Sequence, residues 1–297
     1  MSPIAEAMSG VELAGVLGSI PTGVLGRVTG WRRLTTKAKS VVIEVQGTRG
    51  AVILKTTVVA HLRREQLVYE EVLPHLGLTG PRVLDWIEHD DRAWLVLDLV
   101  DGANPDLQDP AHRLALTRWA ARLHAGSRVC SLALPSPLAF TASPEQQVRA
   151  TEDSVRGRML DPRKGAALLA ACERLRACLP AVMAAAEALP PAFAHLDLAE
   201  QNLRLGPAGL VALDWERSGV TSPAVDLANV DPAVYASELR RLGDPVSLLA
   251  IERGAAAGRV LADLLHDLPA KPMGTQKRYL RRMLANSSVL TTEGARA

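Results

Sequence analysis

Over the first hundred residues the apolar positions change period. Val41 to Val45 and Ala51 to Lys55 are runs of Val, Ile and Leu, and the turn between them, Gln46-Gly47-Thr48-Arg49-Gly50, supplies glycines that can take positive φ. This pattern predicts a β-hairpin. Directly after it Val58, Leu62, Glu65, Tyr69, Val72 and Leu76 recur at steps of four and three, the spacing of one helix face, and Gly77 ends the run. Arg82 to Ile87 and Ala93 to Leu97, parted by the polar turn His89-Asp90-Asp91, read as two more strands. Beyond a linker from Asp98 to Pro105 the period becomes helical. Asp109-Pro110 is an N-cap and first-turn pair for a helix running to about His124. Further helices are expected at Pro162 to Leu189, about Ser222 to Val230, Asp244 to Leu265 and about Gln276 to Ala285, with two short strands at Leu203 to Leu205 and Leu210 to Leu213. A Pro- and Ser-rich loop is expected from Pro135 to Pro144, and there is no internal repeat. The expected fold is α+β, in two lobes. Residues 1–98 form a small antiparallel sheet with one helix, and residues 99–297 form a larger, mostly helical lobe.

One position breaks the helix pattern. Glu65 lies on the apolar stripe between Leu62 and Tyr69, where a charge must be paired or cost several kcal/mol. Glu70 and Glu71 lie off that stripe and can be solvated. Lys55 ends the preceding strand, and a helix that packs back on its sheet brings the two together. Of the 34 basic residues 28 are Arg and six are Lys, so a lysine here points to a need for a compact ammonium, one that can touch phosphate oxygens and Glu65 together. Taken alone, Lys55 also fits an ordinary solvated strand end.

A second constellation lies in the later half. His195-Leu196-Asp197-Leu198-Ala199-Glu200-Gln201-Asn202 has the form H-x-D-x-x-x-x-N, and about twelve residues on, Asp214 ends an apolar strand. Phosphoryl transfer needs a carboxylate to orient the attacking hydroxyl and accept its proton, and two more oxygen ligands to hold Mg²⁺ against a triphosphate. Asp197 fits the first role; Asn202 and Asp214 fit the second. The same string also suits a loop histidine followed by a turn-capping aspartate.

Composition narrows the partners. Net charge is +2, from 34 basic and 32 acidic residues without blocks of one sign, so the electrostatic footprint of a nucleic-acid binder is missing. Cys130, Cys172 and Cys178 form neither an even disulfide set nor a CxxC pair, which points to reduced thiols. The first ten residues hold no basic residue ahead of an apolar run, and no stretch of about 18 uncharged apolar residues occurs. A cytoplasmic protein without a membrane partner is expected.

Taken together, Leu54-Lys55, Arg64-Glu65, Leu95-Val96-Leu97 before Asp101-Gly102, Leu123-His124, His195 to Asn202, Leu213-Asp214-Trp215-Glu216, and Gly219 through Pro223 to Asp226-Leu227-Ala228 resemble, in order, the aminoglycoside phosphotransferase and choline kinase-like enzymes. These share the two-lobed protein-kinase fold, and the resemblance spans roughly residues 40 to 230. It implies ATP or GTP as co-substrate, with Mg²⁺, held between the lobes. The purine would bond backbone groups near Leu97, Asp98 and Leu99, with Lys55 and Glu65 at the phosphates. Asp197 would be the base, Asn202 and Asp214 the metal ligands, Asp226 a structural brace, and His124 and His195 orienting or packed residues. Two positions depart from the family: Leu196 and Gln201 stand where members often carry Gly. The stretch Thr35-Thr36-Lys37-Ala38-Lys39-Ser40 lacks a G-x-G-x-x-G, leaving backbone amides and the Ser40 hydroxyl to meet phosphate.

The resemblance also implies an acceptor site lined by the insertion from roughly Ser127 to Arg163 and by the helices after Asp231. A polycationic aminoglycoside calls for an acidic lining. Glu200 and Glu216 can contribute acid, but the insertion mixes Glu145, Glu152, Asp153 and Asp161 with Arg149, Arg156, Arg158, Arg163 and Lys164. The expected acceptor is a hydroxylated small molecule, an antibiotic or other natural-product alcohol, with an aminoalcohol, sugar or amino-acid-derived metabolite as the alternative. A protein kinase is disfavoured by the missing Ala-Pro-Glu and the short stretch after Asp214. A catalytically inactive kinase-fold binding module would have lost one or more of Lys55, Asp197, Asn202 and Asp214, and all four are present.

Overall fold

The structure is a computed structural model that describes residues 10–37, 40–89, 92–137, 143–158, 162–265 and 271–292. Ala38-Lys39, the turn residues Asp90-Asp91, positions 138–142 of the Pro- and Ser-rich loop, and Asp161 lie outside the described residues, as do residues 1–9.

Along the chain come α1 (Gly10–Ser19), α2 (Thr22–Leu25), β1 (Val28–Lys37), β2 (Ser40–Gly47), β3 (Gly50–Thr56) and α3 (Val59–Leu67). A π-helical turn, Val68–Val72, and α4 (Leu73–His75) continue α3. There follow β4 (Val83–His89), β5 (Arg92–Asp98), α5 (Pro110–Val129), α6 (Pro144–Gly157), α7 (Pro162–Glu187) and β6 (Ala192–Ala194). A 3-10 turn at Glu200–Asn202 leads into β7 (Leu203–Gly206), β8 (Gly209–Ala212) and β9 (Gly219–Thr221). A 3-10 helix, Pro223–Asn229, precedes α8 (Pro232–Arg241), α9 (Leu248–Leu265) and α10 (Met273–Thr292).

Packing divides the chain into two compact units, Met1–Asn104 with Glu200–Arg217, and Pro105–Ala199 with Ser218–Ala297. The first unit is built on a five-stranded antiparallel sheet ordered β1-β2-β3-β5-β4. Strand parity decides what each of its faces does. Val41, Ile43, Val45, Val52, Leu54, Trp94 and Val96 point to one face and are buried under Leu13, Val16, Ile20 and Leu25 from α1 and α2. Lys55 is of opposite parity to Leu54 and belongs to the other face. The hairpin, the helix after it and the two later strands fall where the periodicity puts them. The sheet also gains β1, of which the sequence pattern marks only the polar stretch beginning at Thr35, and the helices α1 and α2.

The second unit is helical apart from the β6–β9 pair. The expected helix ending at His124 runs five residues further, to Val129. The segment expected as a helix at Ser222 to Val230 is a 3-10 helix, capped by the Ser222 hydroxyl, which accepts from Ala224 N. It lies against α9 at Gly258, where an added Cβ would come within 1.7 Å of the Ala224 carbonyl. A larger residue there must push the two helices apart. Cys130, Cys172 and Cys178 are free thiols, and burial pushes the Cys172 thiol up to about 11. Among the described residues no helix is long and apolar enough to cross a membrane.

Candidate active site

In the first unit the pairing Val42↔Lys55 on β2–β3 and Lys55↔Leu95 on β3–β5 fixes Lys55 at the centre of the sheet. Its ammonium lies 2.6 Å from Glu65 Oε2 and donates to Asp214 Oδ1 at 2.7 Å. Glu65 is 1 % exposed, so the buried charge on the apolar stripe has the cation it requires. Burial alone would lower the Lys55 pKa; Glu65 and then Asp214 outweigh it and hold the ammonium well above its ordinary value. Tyr69, one helical turn after Glu65, donates its hydroxyl to Glu65 Oε1 at 2.8 Å and accepts from Asp214 N at 3.3 Å. Burial, with the Glu65 charge beside it, pushes the Tyr69 phenol far up, so it stays a donor. The sequence reading saw Tyr69 only as a stripe residue. Its i, i+4 relation to a buried carboxylate is the signal that marks it as a member of the site.

These groups open on a cavity of about 240 Å³ that Ser40, Lys55, Glu65, Leu97, Asp98 and Leu99 line together with Asn202 and Asp214. Every expected cofactor-binding and metal-ligating residue therefore lines one pocket. Asn202 reaches it because its carbonyl accepts from Leu213 N at 2.8 Å, which joins the 3-10 turn to the strand end that carries Asp214. Asp214 itself has φ 66°, a left-handed backbone unusual outside Gly, Asn and Asp. Asp98 has little to offer a ligand through its side chain. Its carboxylate accepts from Arg82 N at 2.6 Å and Arg82 Nε at 2.8 Å, and its own N–H donates to Arg82 O.

In the second unit Asp197 follows β6 on a loop that Asp226 organises. Asp226, 1 % exposed, accepts from His195 N and Leu196 N at 2.7 Å each and from His124 Nε2 at 3.1 Å. His124 Nδ1 meets the Tyr235 hydroxyl at 2.7 Å; burial holds that phenol well above its ordinary value, so it donates, and the His124 proton sits on Nε2, facing Asp226. His195 is fully buried and accepts from Asp197 N at 3.2 Å, an orienting role. Leu196, where family members often carry Gly, has φ 68°. The left-handed turn that glycine adopts freely is thus kept by a leucine at a cost of about 1–2 kcal/mol. Asp226→Ala would strip three donors of their acceptor inside the protein, and a loss of about 3–5 kcal/mol is expected, read as a fall in the urea midpoint.

The same unit contains a cavity of about 810 Å³. Its walls are mainly aliphatic, with Leu189, Leu196, Val220, Leu261 and Leu264, and Glu187 is the charged side chain among those lining it. Two acids of the mixed-charge insertion, and Glu216, have basic partners within the protein. Glu152 is buried against Arg176 and lies 3.8 Å from Arg156, Asp153 pairs with Arg156, and Glu216 lies 3.2 Å from His61.

Residues 31–244 match the model of a phosphotransferase enzyme family. Among curated proteins no sequence matches. The fold is similar to that of a choline kinase from Cryptosporidium parvum Iowa II, with 12 % identity, 93 % of each chain covered and a TM-score of 0.59. It is similar to a choline/ethanolamine kinase family protein from Mesorhizobium loti, with 17 % identity, coverage of 95 % of this chain and 94 % of that one, and a TM-score of 0.58. A thermostable mutant of an aminoglycoside phosphotransferase, held with AMP-PNP and hygromycin B, matches with 16 % identity over 97 % of this chain and 99 % of its own at a TM-score of 0.56. At these identities the likeness is one of fold.

Proposed function

Since the chain belongs to the phosphotransferase enzyme family, we propose that it transfers the terminal phosphoryl group of ATP or GTP to a hydroxyl of a small molecule. One observation carries the reading: Lys55 is held between Glu65 and Asp214 in a pocket that Asn202 also lines. A buried ammonium fixed by a buried carboxylate is a rigid donor for phosphate oxygens, and it needs no reorganisation when charge develops on them. The pocket walls at Leu97 and Leu99 suit a purine. The pair Asn202 and Asp214, one amide carbonyl and one carboxylate, fits Mg²⁺, which commonly rests on few protein oxygens and completes its shell with phosphate and water. When bound, Mg²⁺ would neutralise charge on the transferring phosphoryl group.

Asp197 is the base of this reading. It orients the acceptor hydroxyl and takes its proton as the new P–O bond forms, while the nucleoside diphosphate leaves with the electrons of the broken bond. The loop geometry supports the role, because Asp226 and His195 fix the backbone on which the Asp197 carboxylate is carried. The acceptor is supported by the second cavity, whose wall includes Leu196, the neighbour of Asp197. A polycation would face aliphatic walls and one carboxylate there. The lining favours a natural-product or antibiotic alcohol with a largely apolar body and at most one cationic group.

The test is a transfer screen with Mg²⁺ and ATP or GTP against hydroxylated antibiotics of low charge, aminoglycosides, choline-like aminoalcohols and sugars. The expected result is a mass gain of one phosphoryl group on a low-charge alcohol. Phosphorylation of aminoglycosides alone would reject the acceptor class. No product from any compound, and no thermal shift with Mg²⁺-nucleotide, would favour a kinase-fold binding module instead.

A further inference from the structure

One charged side chain in the nucleotide pocket has no part in the reading above. Arg204, on β7, lines the same cavity as Lys55 and Asp214. Its Nη1 donates to Leu203 O at 2.8 Å and to Gln201 O at 3.2 Å. Among the described residues no carboxylate pairs with it, and burial lowers the pKa of its guanidinium. An arginine that is partly desolvated, tethered by main-chain carbonyls and left with its ring-like plane unspent is placed to meet a ligand.

The topology says which part of the ligand. β7 starts beside Asn202, whose carbonyl accepts from Leu213 N and so stands next to Asp214. Its third residue, Leu205, pairs with Ala103 through both main-chain bonds, Leu205 N to Ala103 O at 2.8 Å and Ala103 N to Leu205 O at 3.2 Å. Ala103 follows Leu99 and Val100 in the chain, so β7 connects the Asn202 turn to the segment near which the purine is expected, with Arg204 between the two and its Nη1 held over the Gln201 and Leu203 carbonyls. The two segments also approach closely at Gly206, where an added Cβ would fall 2.7 Å from the Asp101 carbonyl. Val42 and Ile53 form an aliphatic wall of the same pocket, Ile53 sharing its strand face with Lys55.

We infer that Arg204 is the floor of the purine site, its guanidinium plane stacked on the base. The inference rests on the nucleotide reading proposed above. A pocket with an aliphatic wall and a planar cation suits a large π system, and stacking of this kind does not read the hydrogen-bonding edge of the base. Purine nucleotides are therefore bound in preference to pyrimidine nucleotides, with ATP and GTP within a few-fold of each other.

The experiment is calorimetric titration of the full chain and of Arg204→Leu and Arg204→Lys with Mg²⁺-ATP, Mg²⁺-GTP, adenosine and inorganic tripolyphosphate, each protein first checked for an unchanged thermal melt. The leucine variant is expected to weaken ATP and adenosine by the same factor, about 5–30-fold, and to leave tripolyphosphate unchanged. The lysine variant, which keeps charge and stem but loses the plane, is expected to fall between. Equal loss for tripolyphosphate with adenosine unaffected would make Arg204 a phosphate ligand and overturn the inference. No change with any probe in either variant would overturn it as well. Wild-type protein that binds neither ATP nor adenosine would remove the nucleotide reading itself, a failure distinguishable from the other two because no substitution is involved.

Discussion

The Asp197→Asn protein is expected to transfer phosphoryl groups about 10²–10⁴-fold more slowly than wild type while binding Mg²⁺-nucleotide with nearly unchanged affinity. Asparagine keeps the shape of the side chain and removes its ability to take a proton, so the loss reports chemistry and not packing. The loop survives the change, because its anchors are main-chain groups: His195 N and Leu196 N donate to Asp226, and Asp197 N donates to His195 Nδ1. Nucleotide affinity survives too on the proposed reading, since Lys55, Glu65, Asn202 and Asp214 belong to the first unit and Asp197 to the second. Initial rates with an acceptor found in the screen, together with titration of the nucleotide, check both halves. A variant with full turnover would remove Asp197 as base, and one that no longer binds nucleotide would make it a structural residue.

What the sequence disclosed, and what it did not, follows from the range of the forces involved. The hairpin of β2 and β3 and the helix after it are local, and their periods appear directly in the apolar positions. The Lys55–Glu65 pair was also legible, because a carboxylate on an apolar stripe has few inexpensive solutions. β1 was not, since its run from Trp31 to Leu34 is exposed and carries no alternation, as suits an edge strand with one solvated face. α6 was hidden by Pro and Ser around it. Its signal is nonetheless in the sequence: Ser143 accepts from Gln146 N while the Gln146 side chain accepts from Ser143 N, a capping box three residues wide. The same holds for α8, where Asp231-Pro232 repeats the Asp109-Pro110 signature of α5. No local pattern could show that Glu200–Arg217 packs with the first hundred residues, because that association comes from pairings such as Leu205 with Ala103 across a hundred positions of sequence. The left-handed Leu196 is likewise invisible to pattern reading, which expects glycine at such a φ.

Lys55→Met separates the structural from the chemical work of the buried ammonium. Methionine fills the stem volume but leaves Glu65 as a buried carboxylate beside Asp214, and the expected loss is about 3–5 kcal/mol of stability, together with transfer activity. Tyr69 cannot compensate, since one neutral hydroxyl replaces little of a full charge. The loss should depend on pH with a definite sign. In the wild type, burial pushes the Glu65 carboxyl above its ordinary 4.5 and Lys55 works against that shift. With Lys55 gone the carboxyl rises further, so the deficit is full above that raised pKa and shrinks as pH falls through it, when Glu65 takes up a proton and becomes neutral. The wild-type ammonium, held above its ordinary 10.5, stays charged throughout that range and contributes no slope of its own. Urea unfolding at pH 8 and pH 5 is the check: a deficit that is equal at both, or larger at pH 5, would mean that Glu65 is not the source. Adding Glu65→Gln to Lys55→Met removes the orphan charge yet keeps an acceptor for the Tyr69 hydroxyl. Most of the stability is expected to return while transfer does not. Recovery of both would reduce Lys55 to a packing residue, and recovery of neither would place the cost of the first substitution in the contact with Asp214.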